Sequence, residues 1–107
     1  MFILADTAPV DVVEAGITRQ LLGHDPQLML VRVTFTKGAV GALHSHPHRQ
    51  VTYVESGVFD VTIGERTRTI RAGDCYFVPP EARHGAVALE AGVLIDVFAP
   101  AREDFLA

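Results

Sequence analysis

Hydrophobic residues recur along the chain in short runs that are separated by turn residues. The runs are rich in β-branched and aromatic residues and predict seven strands, at Ile17–Leu22, Leu28–Thr36, Val51–Glu55, Val58–Ile63, Thr67–Arg71, Cys75–Val78 and Val93–Phe98. Between them lie turn signals, at Gly23-His24-Asp25-Pro26, Ser56-Gly57, Gly64-Glu65, Ala72-Gly73-Asp74 and Pro79-Pro80. Many short strands at this spacing are typical of an all-β sandwich or a closed barrel.

The division of apolar and polar positions predicts how deeply three of these strands are buried. Phe59, Val61 and Ile63 alternate with polar residues, so they share the inner face of a half-buried strand. The strand Thr67–Arg71 has one large apolar residue and is expected to be more exposed. Val93–Phe98 is apolar on both faces and is expected to be covered on both sides.

This last strand places a carboxylate, Asp96, on a covered face. Burying a carboxylate without a partner costs several kcal/mol or forces its protonation, so we expect a compensating group nearby. The chain then turns at Pro100, and Ala101 to Leu106 is predicted to be a short helical segment of one or two turns. Arg102 in this segment is one candidate partner for Asp96.

Composition narrows the class of protein. The 107 residues suit one domain, 1–107, and the formal charge of −4 is spread along the chain. Without a basic stripe, binding to nucleic acid or to an anionic membrane is not expected. The N-terminus has no basic region before its brief apolar start, and the single cysteine, Cys75, allows no intrachain disulfide. These features favour a cytoplasmic protein in which Cys75 is a small buried hydrophobe.

The histidines provide the candidate chemistry. In extended chain, alternate residues point the same way with roots roughly 6–7 Å apart, so His44 and His46 can direct their imidazoles at one point. His48 continues this parity, but Pro47 disturbs the strand, so the direction of His48 stays open. A polar strand end that merely exposes several histidines is the alternative interpretation. His24 lies in a turn and is expected to be solvated.

The wider spacing resembles both motifs of the cupin superfamily. It reads Gly38-x5-His44-x-His46-x3-Gln50-x6-Gly57 and, later, Gly73-x5-Pro79-x4-His84. The resemblance implies a single-domain cupin, an all-β double-stranded β-helix or jelly-roll barrel, with one divalent metal on His44, His46, Gln50 and His84. The chain departs from the usual pattern at three positions, which are Gln50 for glutamate, Glu81 for glycine and Ala88 for asparagine.

Gln50 makes the predicted ligand set entirely neutral. The double positive charge of the ion is then not offset by a ligand, which favours anionic ligands and negative charge that develops on a bound oxygen. Because the carboxylate of the two-histidine, one-carboxylate triad is missing, a Lewis-acid role is favoured over an iron oxygenase. Nickel, zinc, iron, manganese and cobalt all suit such ligands.

The C-terminal segment indicates which group of cupins the chain resembles. With Asp96, Phe98 and Arg102, the chain is similar over essentially its whole length to the KdgF-type pectin-degradation cupins, in which glutamine is the normal fourth ligand. The resemblance implies that these three residues line the active site beside the metal. It also implies conversion of 4,5-unsaturated monouronates, from pectin or alginate, into linear 5-keto-4-deoxyuronates.

Within that reaction, Asp96 is expected to move the proton, Arg102 to bind the carboxylate of the anionic sugar and Phe98 to pack on its ring. The alternatives are a purely structural Asp96–Arg102 ion pair and a simple core phenylalanine. A different metal-dependent cupin enzyme, such as an oxygenase or sugar isomerase, and a non-catalytic cupin that binds a small acid remain open as functions. A homodimer is expected because a small barrel has sheet edges to cover.

Overall fold

The computed structural model describes residues 1–106 and consists almost entirely of antiparallel strands. The strands are β1 (Val10–Glu14), β2 (Ile17–Asp25), β3 (Leu28–Phe35), β4 (Val40–His44), β5 (Arg49–Ile63), β6 (Arg66–Arg71), β7 (Cys75–Val78) and β8 (His84–Ala99), followed by a 3-10 turn at Glu103–Phe105. None of the helical structure in residues 1–106 is long and apolar enough to cross a membrane.

Two long strands, β5 and β8, form the centre of the fold. They pair with each other along most of their length, in the strand order β1-β2-β3-β8-β5-β6, while β4 adds to β8 and β7 adds to β5. Each long strand therefore has different neighbours in its two halves, and the sheet folds over on itself into two layers. The prediction of an all-β jelly-roll barrel with a short C-terminal helical turn is confirmed.

The predicted turn at Ser56-Gly57 is wrong. The chain runs through these residues as an irregularity within β5, opposite Gly92 of β8. Gly57 has φ +89°, and a Cβ on it would lie 2.6 Å from the Gly92 Cα atom. A side chain cannot be placed here without moving backbone, so the pair of glycines lets both long strands bend together.

The main core lies between the two layers. Phe35 and Phe59 meet edge to face with ring centroids 5.2 Å apart, and Val54, Val61 and Leu94 pack around them. Phe59 and Val61 are buried and Ile63 is partly buried, which confirms the predicted inner face of this strand. Strand β6 is mostly exposed, also as predicted.

Three elements differ from the sequence prediction. Strands β1 and β4 were not predicted, because β1 is exposed throughout and β4 carries glycine and alanine instead of an apolar alternation. Strand β8 begins at His84, nine residues before the predicted start at Val93. Cys75 is exposed, so its assignment as a buried hydrophobe is wrong. On the short strand β7 the alternation turns Cys75 outward with Phe77 and turns Val78 inward.

Candidate metal centre and adjoining cavity

Three imidazoles converge where β4, the β4–β5 loop and β8 meet. His44 ends β4 and is the register partner of His84 at the start of β8, while His46 follows in the loop. One ring nitrogen from each residue lies within 4.8 Å of those of the other two. His46 and His84 are buried and His44 is exposed. The structure thus brings together three of the four residues predicted to bind a metal.

Each of these imidazoles is oriented by a backbone carbonyl. The Nδ1 atoms of His44, His46 and His84 lie 2.9, 3.2 and 2.9 Å from the carbonyl oxygens of Ala42, His48 and Ala82. A carbonyl only accepts, so the ring proton belongs on Nδ1, and Nε2 is left with its lone pair facing the centre of the cluster. This is the tautomer that a metal-binding imidazole needs.

The electrostatic environment keeps the two buried rings neutral. Burial lowers the pKa of His84 to about 4, and burial followed by the nearby Arg102 charge lowers the pKa of His46. The Nε2 atom of His84 is enclosed and has no hydrogen-bond partner among the described residues. An enclosed acceptor with no donor is costly unless something else binds it. A divalent cation among the three Nε2 atoms fits this arrangement.

Gln50 adds an oxygen to the cluster. Its amide nitrogen donates to the Thr52 hydroxyl at 2.9 Å and, at 3.4 Å, to an Asp96 carboxylate oxygen. These bonds turn the amide oxygen toward His46, whose Nε2 lies 3.0 Å away. With the proton of His46 on Nδ1, both facing atoms present lone pairs, and a shared cation stabilises such a pair. The donor set of three imidazoles and one amide oxygen therefore fits a divalent transition metal.

Asp96 lies behind Gln50 in the same hydrogen-bond network. Because Thr52 is its register partner across β5 and β8, the Thr52 hydroxyl donates to an Asp96 carboxylate oxygen at 2.6 Å. Burial raises the pKa of Asp96 to about 6, although the hydrogen bond from Thr52 and the charge of Arg102 oppose this shift. Thr52 and Gln50 are thus the compensating partners that the sequence analysis expected without naming them.

Arg102 does not form the ion pair with Asp96 that was considered as the structural alternative. Its Nε and Nη2 atoms donate to the two carboxylate oxygens of Asp104, at 3.1 and 2.8 Å, and these bonds lower the pKa of Asp104. The Arg102 guanidinium is buried and lies over the rings of Phe98 and Phe105, 5.1 and 4.2 Å from their centroids. Asp104, two residues along the chain, was not recognised as the partner.

Phe98 connects the C-terminal segment with the histidine cluster. Its ring is buried and packs edge to face on His46 and on Phe105, each with a centroid separation of 5.7 Å. It belongs to a small apolar cluster with Met29, Val31 and Ala101 and also lines the cavity described below. Phe98 is therefore both a core aromatic and part of a cavity wall.

A cavity of about 350 Å³ joins these groups. It is within the size range of small-molecule sites. The polar groups that line it include His44, Gln50, Tyr76, His84, Asp96, Arg19 and Arg102. Sequence reasoning missed Arg19, Thr52, Tyr76 and Phe105. The pKa of the Tyr76 hydroxyl is raised, first by burial and then by the charge of Asp96, so this hydroxyl stays protonated.

The remaining histidines lie outside the ligand cluster. The His48 ring packs 5.3 Å from the His46 ring, and its Nδ1 is buried without a partner in the described residues. Its carbonyl serves as the acceptor for His46. His24 is exposed at the end of β2, as expected of a solvated histidine. His48 thus contributes its backbone to the cluster, while His24 has no connection with it.

The fold and the converging imidazoles define a small β-barrel protein with a candidate metal centre in the barrel. The family model described as "Cupin domain" matches residues 31–98. The chain is also 41% identical to the pectin degradation protein KdgF of Dickeya dadantii, over 98% of this chain and 97% of that protein.

Two solved structures extend the likeness to three dimensions. An RmlC-like cupin from Shewanella frigidimarina is 44% identical with a TM-score of 0.94, covering 97% of this chain and 94% of that one. The structure of KdgF from a Halomonas species is 40% identical with a TM-score of 0.93, covering 98% and 97%. The chain therefore belongs to the cupin family and, within it, to the KdgF-type pectin-degradation proteins.

Proposed function

We propose that this protein is an enzyme that converts 4,5-unsaturated monouronates into linear 5-keto-4-deoxyuronates by ring opening and ketonisation. The observation that carries the proposal is the position of Asp96, a carboxylate with a raised pKa that faces the same cavity as His44 and His84, two of the three converging imidazoles. The likeness to the two KdgF proteins over nearly the full length supports the same substrate class. The substrate can derive from pectin or alginate, since lyase action on either polysaccharide leaves a uronate with a C4=C5 double bond.

The proposed metal ligands are His44, His46, Gln50 and His84, with one nickel, zinc, iron, manganese or cobalt ion as the cofactor. The orphaned Nε2 of His84 and the inward-facing amide oxygen of Gln50 support this assignment. When bound, the ion supplies Lewis-acid stabilisation of the negative charge that develops on the former ring oxygen.

Asp96 is the proposed proton carrier. The substrate is a cyclic hemiacetal in which the ring oxygen is also part of a C4=C5 enol ether. Removal of the anomeric hydroxyl proton forms the C1 carbonyl and breaks the bond from C1 to the ring oxygen, which becomes an enolate. Delivery of the proton to C4 then gives the C5 ketone, so the reaction needs no oxidant. A carboxylate with a pKa near 6 can accept and return a proton near neutral pH.

Arg102 and Phe98 are proposed to hold the sugar. The bonds to Asp104 fix the guanidinium of Arg102 at the cavity wall and leave its Nη1 atom to contact the uronate carboxylate. Phe98 offers an apolar surface to the sugar ring and keeps water from the reacting atoms.

The test follows the ultraviolet absorbance of fresh 4,5-unsaturated monouronate mixed with the metal-loaded protein. We expect absorbance to fall faster than the spontaneous loss, and we expect chelator or the Asp96→Asn substitution to remove the acceleration. Asp60→Asn is the matched control, because Asp60 lies on the same sheet but accepts only an exposed bond from Thr69. No acceleration by the metal-loaded wild type, or full activity of Asp96→Asn with bound metal, would contradict the proposal.

We further propose that the protein works as a cytoplasmic homodimer. Val51, Tyr53 and Phe77 are each 42–48% exposed on neighbouring strands β5 and β7, and Val51 and Phe77 are register partners. An exposed apolar patch of this kind is typical of an interface between copies. Light scattering should give twice the chain mass for the wild type and the monomer mass for Tyr53→Glu; a monomeric wild type would contradict the dimer.

A further inference from the structure

Arg19 is a cavity residue that the proposed mechanism does not use. It lies on β2, and its guanidinium carbon is 3.8 Å from the centroid of the Phe105 ring. The Nε atom is enclosed and has no hydrogen-bond partner within residues 1–106. Stacking on an aromatic face compensates part of the charge, but the ring does not replace the acceptor that an enclosed N–H needs.

No side-chain carboxylate in residues 1–106 forms an ion pair with the Arg19 guanidinium. In the described part of the chain the Arg102–Asp104 contact is the only ion pair, so neither the register partner Asp11 nor the cavity residue Glu14 comes within 4.0 Å of Arg19. Arg32, on the neighbouring strand, donates to the side chain of Gln20. Arg19 thus lines the cavity without a carboxylate partner among the described residues. The Nε and Nη2 atoms of Arg102, in contrast, already donate to Asp104.

The two cavity arginines share one aromatic ring. Phe105 carries the Arg19 guanidinium at 3.8 Å and the Arg102 guanidinium at 4.2 Å, and it packs on Phe98, which in turn packs on His46. Two positive charges therefore lie beside the Phe105 ring in the cavity wall, in addition to the donors of the metal centre. A ligand with one carboxylate and several hydroxyl groups matches this polarity.

We propose that Arg19 binds the carboxylate of the anionic sugar through its terminal nitrogens and determines the preference of the cavity for an acid over a neutral sugar. Arg102, held by Asp104, adds a second contact to the same group. The inference deepens the proposed function and rests on its substrate class, a monouronate. A guanidinium suits this role because its parallel N–H groups match the two oxygens of a carboxylate.

The experiment measures binding of galacturonate and of its uncharged amide to the zinc-loaded protein by calorimetry. Wild type should prefer the acid, and Arg19→Met should lose about 10- to 100-fold of affinity for the acid, as expected for a lost charge-assisted contact. Affinity for the amide should change by less than about twofold, since the amide offers no charge to Arg19. Arg19→Lys should recover part of the loss, because it keeps the charge without the planar fork.

Arg71→Met is the control, because Arg71 is exposed at the end of β6 and does not line the cavity. It should bind both ligands as the wild type does. Zinc content and thermal midpoint are measured for every variant to show that the centre and the fold are intact. Equal binding of acid and amide by the wild type, absence of binding of the acid, or a loss in Arg19→Met that is the same for both ligands would overturn the proposal.

Galacturonate has no C4=C5 double bond and cannot ketonise, so this result is independent of catalysis. If the absorbance assay fails while the acid preference depends on Arg19, the proposed reaction is wrong and the carboxylate site stands. If ketonisation is accelerated while Arg19→Met discriminates acid from amide as strongly as the wild type, the reaction stands and the role of Arg19 is wrong.

Discussion

Replacing Thr52 by valine removes the hydroxyl that joins Asp96 to Gln50 while it preserves the shape of the side chain. Thr52 is fully buried on β5, donates to Asp96 at 2.6 Å and accepts from Gln50 at 2.9 Å. Valine keeps the branching at Cβ, which suits a strand, so the backbone should not change. The substitution therefore tests the network and not the packing.

The expected loss follows from the two bonds. A hydrogen bond to a charged group contributes about 1.5–3 kcal/mol and a neutral one about 0.5–1.5 kcal/mol to the free energy of unfolding. The methyl group that replaces the hydroxyl recovers about 0.8 kcal/mol. The net destabilisation should be about 1–4 kcal/mol, since the Asp96 carboxylate keeps only its longer contact with Gln50.

Urea unfolding of chelator-treated protein measures this loss without a contribution from bound metal. Thr62→Val is the matched control on the same strand, because the hydroxyl of Thr62 pairs with that of Thr67 at an exposed position. The control should change the free energy of unfolding by less than about 0.5 kcal/mol. If Thr52→Val is as stable as Thr62→Val with an unchanged m-value, the network does not stabilise the fold and the reasoning is refuted.

Three further substitutions probe the centre and the bend. His84→Ala should abolish binding of nickel or zinc in a calorimetric titration while the circular dichroism spectrum stays that of a β protein; retained tight binding would exclude His84 as a ligand. Gln50→Glu should bind the same metal more tightly, because a carboxylate offsets the charge of the ion, and it should ketonise the monouronate more slowly. Unchanged metal affinity in a chelator competition would contradict an inward-facing Gln50 oxygen. Gly57→Ala should lower the free energy of unfolding by more than about 1 kcal/mol, since φ at this residue is +89° and the added Cβ meets the Gly92 backbone. A variant as stable in urea as the wild type would show that the backbone can shift to make room for the methyl group.

The local pattern of apolar and polar residues was sufficient to predict most of the strands. It was not sufficient to predict where one strand continues through a glycine into the next. Alternation predicted Phe59 and Val61 on the inner face, and both are buried. The Ser56-Gly57 pair is typical of a turn, yet here it bends a strand that continues, because its partner strand bends at the same level. Which of these two outcomes a glycine produces depends on long-range pairing, and the sequence pattern does not contain that information.

The site shows the same division between local and long-range information. The spacing of His44 and His46 was sufficient to expect their convergence, although His46 lies in the loop after β4. His84 and Gln50 were expected only through the family resemblance. The bond between Thr52 and Asp96 depends on the register of β5 against β8. Arg19 is one charged residue in a partly buried strand, and only the cavity reveals what it faces.

The backbone acceptors of the three imidazoles have a consequence for how this centre can vary in evolution. Each carbonyl belongs to a residue two positions away in the chain, Ala42, His48 or Ala82, so the hydrogen bond that sets the tautomer of each ring is made to the main chain. Side chains at these three positions can drift without altering the lone pairs that the centre presents. The tautomers of the imidazoles therefore depend on the path of the backbone, and cavity residues that neither bind the metal nor pack on its ligands can change substrate preference around the same donors.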